Sequence, residues 1–310
     1  MLLSQLKLLM AEPRSLAGKV VAITGGARGI GEVTARSLVR EGAMVAIGDL
    51  DLELAEKTAS ALGGGTIALE LDVTRRDSFA SYLSQVEERL GPVDVLVNNA
   101  GIMPLGRFVD EDDATARRMI DINLHGLMFG MKLVMPSMLR RSTGHIVNIA
   151  SQAGKGGFPG GATYCATKHA VVGLSEAVRG ELRDTGVEIS VVMPAAVNTE
   201  LGSGLVDTRA VKKLEPQQVA DAIVDALKYP KFDVWVPKLS NGIFRFMQLL
   251  PRSGREGLVR LLKADQVLMG ADMKVRSAYE ERAARSEPSL EPEDAGAAAD
   301  AAEADTVEAT

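Results

Sequence analysis

The stretch KVVAITGGARGIG, residues 19–31, joins a short apolar run to a turn rich in glycine. Residues 19–24 are largely apolar without alternation, as in a strand that helices cover on both faces. Gly25, Gly29 and Gly31 follow at a spacing that permits a tight turn, a close approach of the backbone to a phosphate, and close packing of helix on strand. The stretch therefore predicts a strand, a phosphate-binding turn and a helix whose N-terminus faces the phosphate.

The alternation of strand and helix patterns continues to about residue 237. Strands are predicted at 19–24, 43–48, 65–71, 93–97, 144–150, 187–193 and 232–236. Helices are predicted near 29–41, 51–62, 75–90, 111–139, 163–185 and 216–229. Because a helix crosses over between successive strands, we expect a mostly parallel sheet with helices on both faces. The predicted fold is α/β, with one doubly wound Rossmann-type domain over residues 17–237 around a seven-stranded sheet.

Three segments lie outside this predicted domain. Residues 1–16 are expected to form an N-terminal extension with a short amphipathic helix, because their leucines lack the basic flank of a signal peptide. Residues 238–284 are predicted to form a helical C-terminal appendage. Residues 287–310 contain eight acidic residues and no Lys or Arg, so the segment 285–310 is expected to be a disordered acidic tail.

Composition limits the classes of function. Without those eight acidic residues the chain has a net charge of +2, which does not favour a nucleic-acid surface. Cys165 is the single cysteine, which favours a cytoplasmic location. His125, His145 and His169 lack the spacing of metal ligands, so no metal is expected.

Residues 238–263 leave two interpretations open. Ile243, Phe246, Met247 and Leu250 recur at helical spacing among six basic residues and one acidic residue. Such a segment suits a lid over a pocket or an oligomer contact, and it also suits peripheral contact with an anionic membrane. The appendage and the loop 195–213 are both expected to shape a substrate pocket, which favours a hydrophobic substrate.

An acidic residue, Asp49, stands at the end of the second predicted strand, 24 positions after Gly25. A carboxylate there can accept hydrogen bonds from both ribose hydroxyls of NAD and would repel the 2′-phosphate of NADP. Leu50 follows, where a basic residue would favour NADP. Arg28 in the glycine turn is the exception, since it could contact a 2′-phosphate or remain solvated. NAD is therefore predicted ahead of NADP.

Over about residues 17–237 the sequence resembles the short-chain dehydrogenase/reductase family. TGGARGIG at 24–31, Asp72-Val73 and the NNAG segment 98–101 match its cofactor motifs. Pro194 and Thr199 match the run after its sixth strand, although Ala195 replaces the usual glycine. The cofactor contacts predicted from the residues and this resemblance are Gly25, Arg28, Gly29, Ile30, Gly31, Asp49, Asp72, Val73, Asn99, Ala100, Gly101, Tyr164, Lys168, Pro194 and Thr199.

Asn123, Ser151, Tyr164 and Lys168 match the positions of the family's catalytic residues. An ordinary tyrosine, with a pKa of about 10, is a poor base at neutral pH. Lys168 lies one helical turn after Tyr164, where its ammonium can favour the phenolate together with an oxidised nicotinamide. Tyr164 would then be the general acid/base, and Ser151 would donate to the substrate oxygen. The resemblance implies that Asn123 holds a water that connects Lys168 to solvent.

The sequence thus predicts an NAD(P)-dependent oxidoreductase that interconverts a primary or secondary alcohol and its carbonyl. The expected substrate is hydrophobic, such as a steroid, a retinoid or a fatty-chain compound. Two other functions stay open: a catalytically silent dinucleotide-binding regulator, and an epimerase or dehydratase that uses NAD transiently. The resemblance also implies a homodimer or homotetramer formed through the helices at 111–139 and 163–185.

Overall fold

The computed structural model describes residues 12–208 and 212–286. Its centre is a seven-stranded sheet in the order β3-β2-β1-β4-β5-β6-β7, and all neighbouring strands are parallel. The strands are β1 Val20–Thr24, β2 Met44–Asp49, β3 Ile67–Glu70, β4 Val95–Asn98, β5 Gly144–Ile149, β6 Val187–Pro194 and β7 Asp233–Val236. The predicted fold class and seven strands are confirmed, and the sheet is parallel throughout rather than mostly so. Residues 1–11 of the predicted N-terminal extension and 287–310 of the predicted tail lie outside the described residues.

Helices cover both faces of the sheet and divide its core in two. They are α1 Gly29–Arg40, α2 Leu52–Leu62, α3 Arg76–Leu90, α4 Asp113–Ile120, α5 Gly126–Arg140, α6 Ala162–Glu181 and α7 Pro216–Lys228. On one face α1, α2 and α7 pack against side chains such as Ile23 and Ile47. On the other face α3, α5 and α6 pack against side chains such as Ala22 and Ile146. Alternate residues of each strand therefore enter opposite cores, which explains the continuous apolar runs.

The single helix predicted at 111–139 is divided in the structure. A π-helical turn, Asp121–His125, separates α4 from α5. Within this turn the Asn123 side chain accepts a hydrogen bond from the Ile102 amide at 2.8 Å and donates to the Ile102 carbonyl at 2.9 Å. A single turn of this kind is often found where a helix must present a particular side chain. The turn brings Asn123 to the segment that follows β4.

Four helices after β7 confirm the predicted helical appendage. They are α8 Leu239–Leu249, α9 Arg252–Leu261, α10 Gln266–Met269 and α11 Met273–Arg285. Phe244 of α8 packs on Trp235 of β7, with ring centroids 5.1 Å apart. In α9, all of which is described, no residue is buried, whereas α10 and α11 bury Val267, Leu268 and Tyr279. None of the helices searched among the described residues has the length and apolar character needed to cross a bilayer.

We predict that His145 makes the fold sensitive to acid. Burial lowers the pKa of His145 to about 3, below its ordinary value of 6.5. Between these values the unfolded chain binds more protons than the folded chain, so stability decreases as the pH falls below 6.5. Between pH 7 and pH 5 we expect wild type to lose about 2 kcal/mol more unfolding free energy than His145→Gln.

The measurement is urea unfolding at a series of pH values. His125→Gln is the matched control, because half of its side chain is exposed. Parallel pH dependences for wild type and His145→Gln would contradict the prediction.

Candidate active site

The carboxyl ends of the central strands open into a cavity of about 500 Å³. It lies beside the boundary between β1 and β4, where the order of the strands reverses, which is where open α/β sheets bind ligands. All but two of the residues predicted from the sequence line it. The lining ones are Gly25, Arg28, Gly29, Ile30, Asp49, Asp72, Val73, Asn99, Ala100, Gly101, Ser151, Tyr164, Lys168, Pro194 and Thr199. The other two, Gly31 and Asn123, are not among the residues that line the cavity.

Close contacts explain the glycine turn between β1 and α1. Gly25 has a φ of 63°, and a Cβ added there would lie 2.9 Å from the Cα of Ala100. A Cβ added at Gly31 would lie 2.2 Å from the carbonyl oxygen of Gly25. Asn99 reinforces the turn because its amide donates to the carbonyls of Thr24 and Gly25 at 3.0 and 2.8 Å. The lack of a side chain at Gly31 thus allows the helix to pack closely on the turn, and the Asn99 amide holds the turn in place.

The first turn of α1 has amide groups that protein side chains leave uncapped. Arg28 precedes this helix, and no described side chain accepts a hydrogen bond from its first amides. By contrast, α2 is capped by Asp51, whose carboxylate accepts from the amide of Leu54 at 3.1 Å. Free amides at a helix N-terminus bind phosphate well. A Cβ added at Gly29 would meet only the Thr199 side chain, at 3.5 Å, so the backbone there is approachable.

Carboxylates dominate the end of the cavity near β2. Asp49 accepts hydrogen bonds from the amides of Ala27 and Asp51 at 3.0 and 3.2 Å, which fix its orientation. The Arg28 guanidinium is bound by Asp51 and, at 3.4 Å, by Glu200. Arg28 is therefore paired with two carboxylates. Farther along the cavity, Asp72 accepts from the amide and the hydroxyl of Thr74 at 2.9 and 2.7 Å.

Ser151, Tyr164 and Lys168 meet at the centre of the cavity. The Ser151 hydroxyl acts to lower the pKa of Tyr164, and its Oγ donates to the Pro194 carbonyl at 3.5 Å. Ser151 Oγ also accepts from the Ala153 amide at 3.1 Å. Lys168 Nζ donates to the Ile149 carbonyl at 2.9 Å and lies 5.7 Å from the centroid of the Tyr164 ring. One turn of α6 and the end of β5 thus place a serine, a phenol and an ammonium together.

In the protein alone, burial controls the protonation of this pair. Burial raises the pKa of Tyr164 to about 12, while the hydrogen bond from Ser151 acts in the opposite direction. Burial lowers the pKa of Lys168 to about 8. Desolvation of both groups therefore opposes the low tyrosine pKa that is expected with the oxidised cofactor bound. A low pKa for Tyr164 therefore requires nearby positive charge that outweighs its desolvation.

Asn123 supports the site from outside the cavity. The Asn123 amide donates to Thr167 Oγ1 at 3.2 Å as well as to Ile102, so its side chain joins α6 to the end of β4.

Positive φ angles at non-glycine residues occur, among the described residues, at Ser142, Asp184 and Lys263. Ala195, which stands where the family usually has glycine, is therefore in an ordinary conformation.

The C-terminal appendage contributes to the pocket wall, as expected, but only through its later part. None of residues 238–263, all of them described, lines the cavity, so the interpretation of this segment as a lid over the pocket finds no support. The loop 195–213 does contribute as expected, through residues such as Leu201 and Leu205. The remaining wall is formed by Val267, Leu268, Tyr279, Arg282, Ala283 and Ser286.

Arg276 holds this wall in place. Its side chain is completely buried, and its guanidinium donates to the carbonyls of Leu201, Ser203 and Met103 at 2.9, 2.8 and 2.7 Å. It also binds Glu280 at 2.9 Å and lies 4.8 Å from the Tyr279 ring. The Tyr279 hydroxyl accepts from the Met103 amide at 2.7 Å. The helix sequence, MKVRSAYEERAAR, contains no pattern that distinguishes this arginine from a solvated one.

Comparisons with known proteins agree with this geometry. The family model described as short chain dehydrogenase matches residues 19–210. A ketoacyl reductase, HetN, from Nostoc sp. is 38% identical over 231 residues, which cover 72% of this chain and 79% of that protein. A 2-(S)-hydroxypropyl-CoM dehydrogenase from Xanthobacter autotrophicus is 36% identical over 69% of this chain and 83% of its own length. A short chain dehydrogenase/reductase from Burkholderia phymatum, solved in complex with NAD, has a TM-score of 0.69 and 26% identity over 76% of this chain and 94% of that one.

We predict that Arg276→Met lowers the stability of the protein strongly. The substitution leaves three carbonyls without their donor, and we expect a loss of about 3 to 5 kcal/mol in unfolding free energy. Arg276→Lys should fall between wild type and Arg276→Met, because an ammonium cannot reproduce the planar set of donors. Denaturant unfolding measures both variants.

Arg245→Met is the control, because this arginine is exposed on α8. If Arg276→Met unfolded at the same denaturant concentration as Arg245→Met, the anchoring role would be refuted.

Proposed function

The chain belongs to the short-chain dehydrogenase/reductase family, and we propose that it is an NAD-dependent oxidoreductase that interconverts an alcohol and its carbonyl. The observation that carries this proposal is the meeting of Ser151, Tyr164 and Lys168 in the cavity that the glycine turn also lines. A catalytically silent binding protein would have no need to keep these three groups together in a buried site.

The residues around the cavity fit a nicotinamide dinucleotide. The uncapped amides at the start of α1 are suited to its pyrophosphate, and Asp49 is suited to the ribose near the end of β2. Thr199, Pro194 and the end of β5 surround the position expected for the nicotinamide. When bound, the nicotinamide supplies the hydride chemistry.

The protein's own part in the reaction is to position the substrate and move one proton. In oxidation Tyr164 Oη takes the proton of the substrate hydroxyl, and in reduction it returns that proton to the carbonyl oxygen. Ser151 Oγ donates to the substrate oxygen as negative charge develops there. Lys168 Nζ lies 5.7 Å from the centroid of the tyrosine ring, where a charged ammonium would favour the phenolate. Bringing the pKa of Tyr164 from about 12 to near 7 needs about 7 kcal/mol, which the Lys168 ammonium would supply in part and the positive charge of a bound oxidised cofactor would complete.

The charge distribution supports NAD over NADP. Asp49 and Asp51 stand at the ribose end, and Arg28, the cation of the glycine turn, is already bound by Asp51 and Glu200. A 2′-phosphate placed there would meet the Asp49 carboxylate, which forms no ion pair with a described residue. The pairing of Arg28 therefore argues against the contact with a 2′-phosphate that the sequence left open.

The walls support an apolar substrate such as a steroid, a retinoid or a fatty-chain compound. The substrate side of the cavity is lined by Met103, Phe158, Leu205 and Leu268, so most of a bound molecule would contact hydrocarbon.

We further propose a cytoplasmic homodimer or homotetramer that associates through α4, α5 and α6. Ile120 and Leu139, on α4 and α5, are large apolar residues left more than a third exposed in the single chain.

We predict that Tyr164→Phe abolishes turnover while the cofactor still binds. Loss of the general acid/base should lower kcat by about a thousandfold. The assay is NADH formation from a panel of apolar secondary alcohols, with cofactor affinity measured separately. Tyr229→Phe is the matched control, because this tyrosine is exposed and does not line the cavity. Activity within about tenfold of wild type would contradict the proposed role. If wild type bound NAD but turned over no substrate, the silent regulator would be favoured.

We predict that Asp49→Ser weakens the preference for NAD. Removing the carboxylate removes the repulsion of a 2′-phosphate, so the ratio of kcat/KM for NAD to that for NADP should fall by about tenfold or more. Any effect of the lost hydrogen bond to Ala27 acts on both cofactors and cancels in the ratio. Glu53→Gln, an exposed carboxylate on α2 outside the cavity, is the control. An unchanged ratio in Asp49→Ser would show that Asp49 does not select the cofactor.

A further inference from the structure

Helices α8 and α9 form an exposed pair on the outside of the molecule. Leu239, Phe246 and Leu249 of α8 are 75%, 56% and 83% exposed, and Leu261 of α9 is 70% exposed. Within α8, which is described in full, Ser240 alone is buried. Exposed apolar side chains of this size, gathered on one short pair of helices, indicate a surface that something else covers.

The exposed apolar residues of α8 form a stripe. Leu239, Ile243, Phe246 and Leu249 recur at intervals of three and four residues, so they lie along one side of the helix. Phe244 points elsewhere, since it packs on Trp235 and anchors the helix to the sheet. The helix therefore has an inner contact that holds it and an outer stripe that is unpartnered in the single chain.

Basic residues accompany this stripe. The segment 238–263 has a net charge of +5, and all six of its basic residues are exposed: Lys238, Arg245, Arg252, Arg255, Arg260 and Lys263. Its one acidic residue, Glu256, pairs with Arg252 at 3.0 Å. The surface thus combines apolar side chains with an excess of positive charge.

We propose that α8 and α9 dock on an anionic lipid surface. An apolar stripe enters the interface while flanking arginines and lysines contact the headgroups, which is how amphipathic helices bind membranes. A second copy of this chain fits the surface less well. A two-fold contact through the same patch would bring two segments of charge +5 together. The acidic residues 287–310 match the charge but supply almost no large apolar side chains to cover the stripe.

Docking there would bring the cavity close to the lipid. The Phe244 ring lies against Gly156, two residues before Phe158 of the cavity wall. Ser240 accepts a hydrogen bond at 2.9 Å from Gln152, the neighbour of Ser151. The pair of helices is thus attached to the segment that leads into the site, where an apolar substrate could pass from the membrane. The lipid contact itself does not depend on the proposed redox activity.

The test is cosedimentation of the full chain with vesicles. We expect binding to vesicles of equal parts phosphatidylcholine and phosphatidylserine, weakening as salt is raised, and none to pure phosphatidylcholine. The double variant Phe246→Ser/Leu249→Ser should bind at least about tenfold more weakly. Arg255→Gln should bind about fivefold more weakly. The matched controls are Val109→Ser and Arg107→Gln, both at exposed positions outside the pair, and they should bind as wild type does.

Three results would overturn the proposal. The first is an absence of binding to the mixed vesicles by wild type. The second is a smaller assembly, measured by light scattering, in Phe246→Ser/Leu249→Ser than in wild type, which would mean that a second copy covers the stripe. The third is binding that appears only after residues 287–310 are removed, which would mean that the acidic segment covers it. Because none of the substituted residues lines the cavity, turnover of a water-soluble substrate should stay unchanged in every variant.

Discussion

The reversal of strand order between β1 and β4 is the constraint on which the site depends. From β1 the chain continues outward through β2 to β3, and it then returns to the other side of β1 to form β4. The helix that follows β1 and those that follow β4 therefore leave the sheet on opposite faces and open a crevice between them. The crevice is narrow at its base, where a Cβ at Gly25 would lie 2.9 Å from the Ala100 Cα. Topology thus requires a glycine at this turn before any ligand is considered.

Two buried cations in the site behave differently because their partners differ. Arg276 is surrounded by three carbonyls and Glu280, so its charge is compensated and its position is fixed. Lys168 donates to the carbonyl of Ile149 and lies beside a neutral phenol, and burial lowers its pKa to about 8. A cation with so little compensation responds to any charge placed nearby. Arg276 therefore serves the architecture, while Lys168 is the group whose protonation a bound ligand can alter.

The features that local sequence determines were predictable, and those set by distant contacts were not. The seven strands were found because each is a short apolar run, and the glycine turn because its spacing reflects direct contacts. The π turn at Asp121–His125 was missed, since it depends on Asn123 reaching Ile102, 21 residues away. The anchoring of the wall formed by α10 and α11 was missed because the carbonyls that bind Arg276 come from loops far along the chain. The positions of the site residues agree with the sequence analysis, while their chemical roles stay predictions.

The segment 199–204 joins the two halves of the cavity. Glu200 binds Arg28 of the glycine turn at 3.4 Å and Arg282 of α11 at 2.7 Å, and all three side chains are partly exposed. Such pairs contribute little to stability, at most about 1 kcal/mol each, because water screens them. The carbonyls of Leu201 and Ser203 bind the fully buried Arg276, and breaking that contact leaves polar groups without partners. The wall is therefore held from its buried side, which leaves the surface ion pairs at the cofactor end able to rearrange without loss of the fold.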